Sequence, residues 1–195
     1  MSSDPQLILA STSPYRRQLL ERLGVLFRCV APEFHEDLYK ERGEPPVTLA
    51  RMLASGKAWN VAPTYPDSIV IGSDQLATID GEILGKPGSP EGAVEQLARL
   101  SSRTHELITA VCVINNGEEI VFHNTTKLTM RPLSRAEMMR YIERDNPIDC
   151  AGSYKIEAGG IALFEKIETE DFTAITGLPL IELVGVLRSL GVTVL

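Results

Sequence analysis

Apolar positions along the chain change period repeatedly, and each change marks an element. Leu7 to Ala10 is an unbroken apolar run of strand length; from Pro14 to about Leu23 the apolar residues Leu19, Leu20 and Leu23 recur at helical spacing. A short strand is predicted at Phe27 to Val30, and Pro45-Pro46 marks a loop. After Thr48 a second helix places Leu49, Met52, Leu53 and Trp59 largely on one side. Ile69-Val70-Ile71, inside Ser68 to Ser73, is the β-branched run of a central strand, predicted to end at Gly72-Ser73-Asp74. Asp80-Gly81 separates Leu76-Ala77-Thr78-Ile79 from Glu82-Ile83-Leu84, the pattern of a two-residue hairpin with Gly85-Lys86-Pro87 just beyond it.

Ser89-Pro90 opens a third helix to about Leu100, and His105 to Ile114 with Ile120 to Met130 form a long hairpin around Asn115-Asn116-Gly117. Ser134 and Glu137 make a capping box for a fourth helix ending near Asp145. Cys150 to Glu157 is neither helical nor alternating, and irregular polar backbone of this kind often carries function. Strands near Ile161 to Phe164 and Thr173 to Ile175 and a helix from Pro179 to Leu190 complete the chain. Hairpins thus coexist with strand-helix-strand units, which predicts an α/β fold with a mixed central sheet and flanking helices.

With 195 residues, 44% of them hydrophobic, the chain can bury one sizeable core or two lobes sharing a cleft. No repeat or long linker interrupts it, so a single domain over 1–195 is expected. The balance of 19 basic against 26 acidic residues gives a net charge of −7, which argues against a broad nucleic-acid surface and an anionic membrane partner. An anionic ligand must therefore meet a local cationic pocket. Cys29, Cys112 and Cys150 are far apart and lack C-x-x-C spacing, which suggests neither a disulfide framework nor a zinc site. The opening Met1 to Asp4 and the four apolar residues before Ser11 fall short of a signal-peptide core, and the cytoplasm is the expected location.

Candidate chemistry begins at Ser11-Thr12-Ser13-Pro14-Tyr15-Arg16-Arg17, where a strand meets a hydroxyl-rich turn and a basic helix N-terminus. Ser13 can cap a helix whose first residue is Pro14, leaving backbone N–H groups and the positive end of the helix dipole for an anion. Asp74 could accept a proton from water, bind a divalent cation, or do both. Glu33, Glu36 and Asp37 offer further oxygen ligands for a hard metal. Lys57 and Lys86 become relevant if they converge on the same cleft.

Ser11-x-Ser13-Pro14-x-Arg16, Gly72-Ser73-Asp74, Gly85-Lys86-Pro87, Ala151-Gly152 and Gly177-Leu178-Pro179, in this order and spacing, resemble the Maf family of nucleoside triphosphate pyrophosphatases. The resemblance spans nearly the whole chain. It implies a cytoplasmic, Maf/ITPase-like α/β protein with two lobes and a nucleotide cleft between them, a divalent cation (Mg, Mn or Co), and hydrolysis between the α and β phosphates. Its partner would be a small-molecule nucleotide, with no nucleic acid and no membrane; monomer and homodimer both remain open. By the same resemblance Asp74 is the catalytic proton acceptor, Ser11, Ser13, Arg16, Lys57 and Lys86 hold the triphosphate, and Glu36 joins Asp74 at the metal. His35 stands where the family usually has a carboxylate.

Tyr15, Gln75 and Glu157 are the expected determinants of substrate choice. Relatives resembling dTTP and UTP pyrophosphatases carry arginine, threonine and glutamine there, whereas the stretch Cys150 to Glu157 is similar to the 7-methyl-GTP pyrophosphatase branch, which usually has tryptophan at the position of Tyr15. N7-methylation leaves guanine cationic, so an aromatic ring can stack on it with about 0.5–2 kcal/mol of cation–π attraction. Arginine would repel it. A carboxylate such as Glu157 matches the two adjacent donors of the guanine Watson–Crick edge. The alternatives are a dTTP/UTP pyrophosphatase and a non-catalytic nucleotide-binding regulator of cell division.

Overall fold

The computed structural model describes residues 5–194, so the opening Met1 to Asp4 lies outside the described residues. Its strands are β1 (Gln6–Ala10), β2 (Phe27–Cys29), β3 (Ser68–Ile79), β4 (Glu82–Leu84), β5 (Thr104–Asn115), β6 (Glu118–Met130) and β7 (Phe164–Glu168). The helices are α1 (Pro14–Glu21), α2 (Asp37–Lys40), α3 (Pro46–Val61), α4 (Pro90–Leu100), α5 (Arg135–Asp145) and α6 (Leu180–Ser189). The strands form one sheet in the order β2-β1-β3-β5-β6-β7, with β4 paired to β3. β1 runs parallel to β2 and β3, while the β3–β4 and β6–β7 pairs are antiparallel, as a mixed α/β sheet requires.

The described residues divide into two compact units, the first within 5–75, 109–124 and 171–194, the second within 76–108 and 125–170. The core of the first joins Leu7 and Leu9 of β1, Leu19 and Leu20 of α1, Ile69 and Ile71 of β3, and Leu183 and Leu187 of α6. In the second, α4 and α5 pack together and bury Val94, Leu97, Leu100, Met138 and Ile142.

Local signals decide most boundaries. Ser13, Ser89 and Ser134 each accept a hydrogen bond from a first-turn backbone N–H, and Ser134 with Glu137 forms the full capping box. Asp80 and Gly81 (φ +52° and +79°), like Asn116 and Gly117 (φ +50° and +79°), supply the two left-handed positions of a two-residue hairpin.

Four expectations are corrected. β3 does not stop at Gly72-Ser73-Asp74 but runs unbroken from Ser68 to Ile79, because the polar groups there find partners inside the fold. Thr173–Ile175 is part of a 3₁₀ turn (Phe172–Thr176), since the Asp171 carboxylate accepts from the Thr173 N–H and hydroxyl and curls the chain. Ile161 likewise falls in a 3₁₀ turn (Gly160–Leu163) ahead of β7. Trp59 is 41% exposed and donates its indole N–H to Glu119 at 2.7 Å, so the buried face of α3 is completed by Ala50, Ala54, Ala58 and Val61.

Candidate active site

The close packing of α3 on β3 places the central charges. A Cβ on Gly72 would come within 2.4 Å of the Ala54 carbonyl oxygen and 2.7 Å of the Ala58 nitrogen, so only glycine lets this strand approach the helix so closely. Lys57, between those alanines, then reaches Asp74 of β3 at 2.5 Å. The same ammonium binds Glu36 at 2.8 Å, and Glu36 also takes Lys40 at 3.0 Å. Carboxylates and lysines thus alternate along a chain Asp74–Lys57–Glu36–Lys40.

The two acids on Lys57 titrate oppositely because their burial differs. Asp74 is almost wholly enclosed, and burial lifts its pKa above the ordinary aspartate value despite the opposing charges of Lys57 and Arg16. Burial also pushes Glu36 upward, but Glu36 is half-buried and two lysines outweigh the penalty, bringing it down to about 2. Burial lowers the Arg16 guanidinium against the pull of Asp74 and Glu36, although arginine stays charged at any physiological pH.

A pocket of about 240 Å³ lies within the first unit, lined by Ser11, Thr12, Ser13, Arg16, Phe34, Glu36 and Lys57 among others. Ser11 accepts from the Ser13 N–H at 3.1 Å, and Ser13 caps α1 through the Arg16 N–H at 3.4 Å. Arg16 donates to the Gly177 carbonyl at 3.2 Å, and the Ser73 hydroxyl donates to the same oxygen at 2.8 Å. Gly177, at φ +115°, therefore fixes both the basic side chain and the strand that carries Asp74.

Four of the five residues expected at phosphate, Ser11, Ser13, Arg16 and Lys57, converge here with Glu36, and Asp74 joins through Lys57. Lys86 lies on the exposed loop after β4 in the second unit. Glu33 engages Asn60 through its backbone and Asp37 sits 3.8 Å from Lys40, so of the acidic loop only Glu36 lines the pocket. His35 is exposed. Tyr15 is half-buried on α1, and Glu157 is exposed on the irregular segment of the second unit. The Gln75 amide nitrogen donates to Thr109 at 2.8 Å and to the Ala174 and Ile175 carbonyls at 3.0 Å, so this side chain braces the turn after Asp171.

Sequence reasoning gave no part to Phe34 or Lys40, and it named Thr12 and Ser73 only within longer motifs. A glycine on α3 was the signal for Phe34, whose ring occupies the space a Cβ at Gly56 would need, within 2.2 Å.

The segment Cys150 to Glu157 is irregular, as expected, yet firmly held within its unit. Tyr154 is buried with its hydroxyl 2.8 Å from His105 Nε2 and its ring edge-on to Phe164. The Tyr141 hydroxyl accepts from the Lys155 N–H at 2.8 Å, and Asp145 accepts from the Gly159 N–H at 2.7 Å.

The fold and this pocket define an α/β protein with a charged cavity where a helix N-terminus meets a buried, lysine-paired carboxylate. The Maf-like protein family model matches residues 6–190, and the chain belongs to the Maf family. It is 49% identical to a 7-methyl-GTP pyrophosphatase of Bdellovibrio bacteriovorus over 94% of this chain and 96% of that one. It is 44% identical to another from Syntrophotalea carbinolica over 97% and 96% of the two chains. Among solved structures, the Ham1 protein of Staphylococcus aureus is 17% identical, with a TM-score of 0.46 over 64% of this chain and 71% of that one.

Proposed function

We propose that this chain hydrolyses 7-methyl-GTP to 7-methyl-GMP and pyrophosphate in the cytoplasm, clearing a modified nucleotide. The observation that carries the reading is the pocket of the first unit. There a helix N-terminus, Arg16 and Lys57 converge beside a buried acid whose pKa is raised. The names of relatives more than 40% identical over nearly their full length support the choice of base.

Attack on phosphorus asks the protein for positioned water and neutralised charge more than for covalent help. Asp74 takes the proton of the attacking water, and its raised pKa makes it a better acceptor than an exposed aspartate. Lys57 opposes the cost of burial and so favours the ionised carboxylate, the form that can accept a proton. In the first unit the Ser11 and Ser13 turn, Arg16 and Lys57 hold the triphosphate and Tyr15 stacks on the cationic base; the roles of Lys86 at phosphate and Glu157 at the base are those the family resemblance implies. Gln75 acts on base choice indirectly, through the Ala174–Ile175 backbone it holds.

Among the described residues no group of three or more histidine, cysteine or acidic side chains could hold a metal by itself. Glu36 and Asp74, both directed at one ammonium, instead fit a hard cation bound by two carboxylates and completed by phosphate oxygens. Such an ion, bound by these two residues, would supply further charge neutralisation at the phosphates.

The test is a panel of triphosphates with Mg, Mn or Co, followed by product analysis. The expected result is monophosphate and pyrophosphate, fastest from 7-methyl-GTP. Faster turnover of dTTP or UTP would overturn the base assignment, and no turnover of any triphosphate would overturn the enzyme reading.

A further inference from the structure

Two loops of the second unit carry residues assigned above, Lys86 between β4 and α4 and Glu157 beyond α5. One side chain holds both. Gln96 of α4 donates from Nε2 to the Gly85 carbonyl at 3.0 Å and accepts at Oε1 from the Ser153 hydroxyl at 2.6 Å. Ser153 is fully buried and stands at φ +60°, a backbone conformation that a non-glycine residue keeps only when its surroundings hold it.

Three further features tighten the same junction. The Gly88 N–H donates to the Ile148 carbonyl at 3.0 Å, so the Lys86 loop is fastened at its far end to the chain leading into Ser153. A Cβ on Gly92 would lie 2.6 Å from the Pro87 carbonyl oxygen, so the first turn of α4 presses directly under the loop. Gly152, at φ +82°, has the Tyr154 ring 2.7 Å from where its Cβ would stand, which fixes the backbone next to Ser153.

We propose that Gln96 is a positioning residue that sets the Lys86 loop and the Glu157 segment in mutual register, so that contact with phosphate and discrimination of the base depend on one amide. This rests on the roles given to Lys86 and Glu157 under the proposed function. The chemistry singles out glutamine. The carbonyl of Gly85 needs a donor and the hydroxyl of Ser153 needs an acceptor, and an uncharged amide supplies one of each. Glutamate keeps the acceptor and loses the donor, and leucine of similar bulk has neither.

The experiment compares kcat and KM for 7-methyl-GTP and GTP, together with thermal midpoints, in Gln96→Leu, Gln96→Glu and Ser153→Ala, with Lys86→Ala and Glu157→Gln alongside. Gln96→Leu is expected to raise KM for both nucleotides about three- to tenfold and to narrow the preference for 7-methyl-GTP by a similar factor, leaving kcat close to the parent value, as the loss of hydrogen bonds at a positioned loop implies. Gln96→Glu should raise KM but narrow the preference less, and Ser153→Ala should do the reverse. A Gln96→Leu protein with parental KM and preference, or one whose only change is a lower melting point, overturns the proposal. If Lys86→Ala and Glu157→Gln change neither KM nor preference, the site assignment fails and this proposal fails with it. If those two behave as assigned and Gln96→Leu does not, only the role of Gln96 is refuted.

Discussion

The pocket of the first unit and the loops of the second are built from different interactions. In the first, charges are held by opposite charges: Asp74, Lys57, Glu36 and Lys40 form an alternating chain, and each is placed by its neighbour's sign. In the second, the backbone around Lys86 and Glu157 is fastened mainly by uncharged groups, among them Gln96, Tyr141 and the His105–Tyr154 pair, with Asp145 at the Gly159 N–H as a charged exception. A site that handles a polyanion and a proton needs charges whose protonation is tuned by neighbours. One that recognises a base needs fixed geometry. The first should therefore respond to mutation through charge and pH, the second through position and selectivity.

Four substitutions put this contrast to the test. The largest effect is expected from Asp74→Asn, which keeps shape and removes the proposed proton acceptor: pyrophosphate release should fall about 10²–10⁴-fold in a coupled assay while nucleotide binding persists. Lys57→Met strands a buried carboxylate and should cost roughly 3–5 kcal/mol in denaturant unfolding. In whatever protein folds, the acid limb of the pH–rate profile should move to higher pH, because the loss of Lys57 raises Asp74 further. Gly72→Ala, with its new methyl 2.4 Å from the Ala54 oxygen, should destabilise by about 1–3 kcal/mol and shift the pairing of Lys57 with Asp74.

A fourth effect belongs to the second unit. His105 is buried and its Nδ1 has no hydrogen-bond partner among the described residues; burial lowers its pKa from 6.5 to about 4. Between those values the unfolded chain binds a proton that the native one does not, so the contribution is complete above pH 6.5 and is lost as pH falls toward 4, at most about 3 kcal/mol. Thermal melts at pH 7.5 and 5 should show this slope in the parent and a shallower one in His105→Gln. An equal slope in the two proteins would mean that other groups set the acid stability.

Much of this architecture was legible in the sequence because its determinants are local. Ser134 with Glu137, Asp80-Gly81 and Asn116-Gly117 each specify a cap or turn within a few residues. The Ser11-Thr12-Ser13-Pro14 junction was readable for the same reason. What could not be read depends on distant partners. Asp74 looked like the end of a strand because an aspartate and a serine seldom continue one, but Lys57 and the Gly177 carbonyl satisfy them from elsewhere in the chain. Thr173 to Ile175 was expected as a strand, and the carboxylate of Asp171, two residues before Thr173, curls it instead. Gln96 gave no sequence signal, because its meaning lies in the two loops it joins.

The division between charge and geometry is tested most directly by the ratio of kcat/KM for 7-methyl-GTP to that for dTTP in the parent protein and in Glu157→Gln. On the proposed assignment, replacing the carboxylate would remove a charge-assisted pairing with the cationic purine, and the ratio should fall about tenfold. A ratio that stays where it was in the parent would contradict the assignment of base recognition to this segment of the second unit.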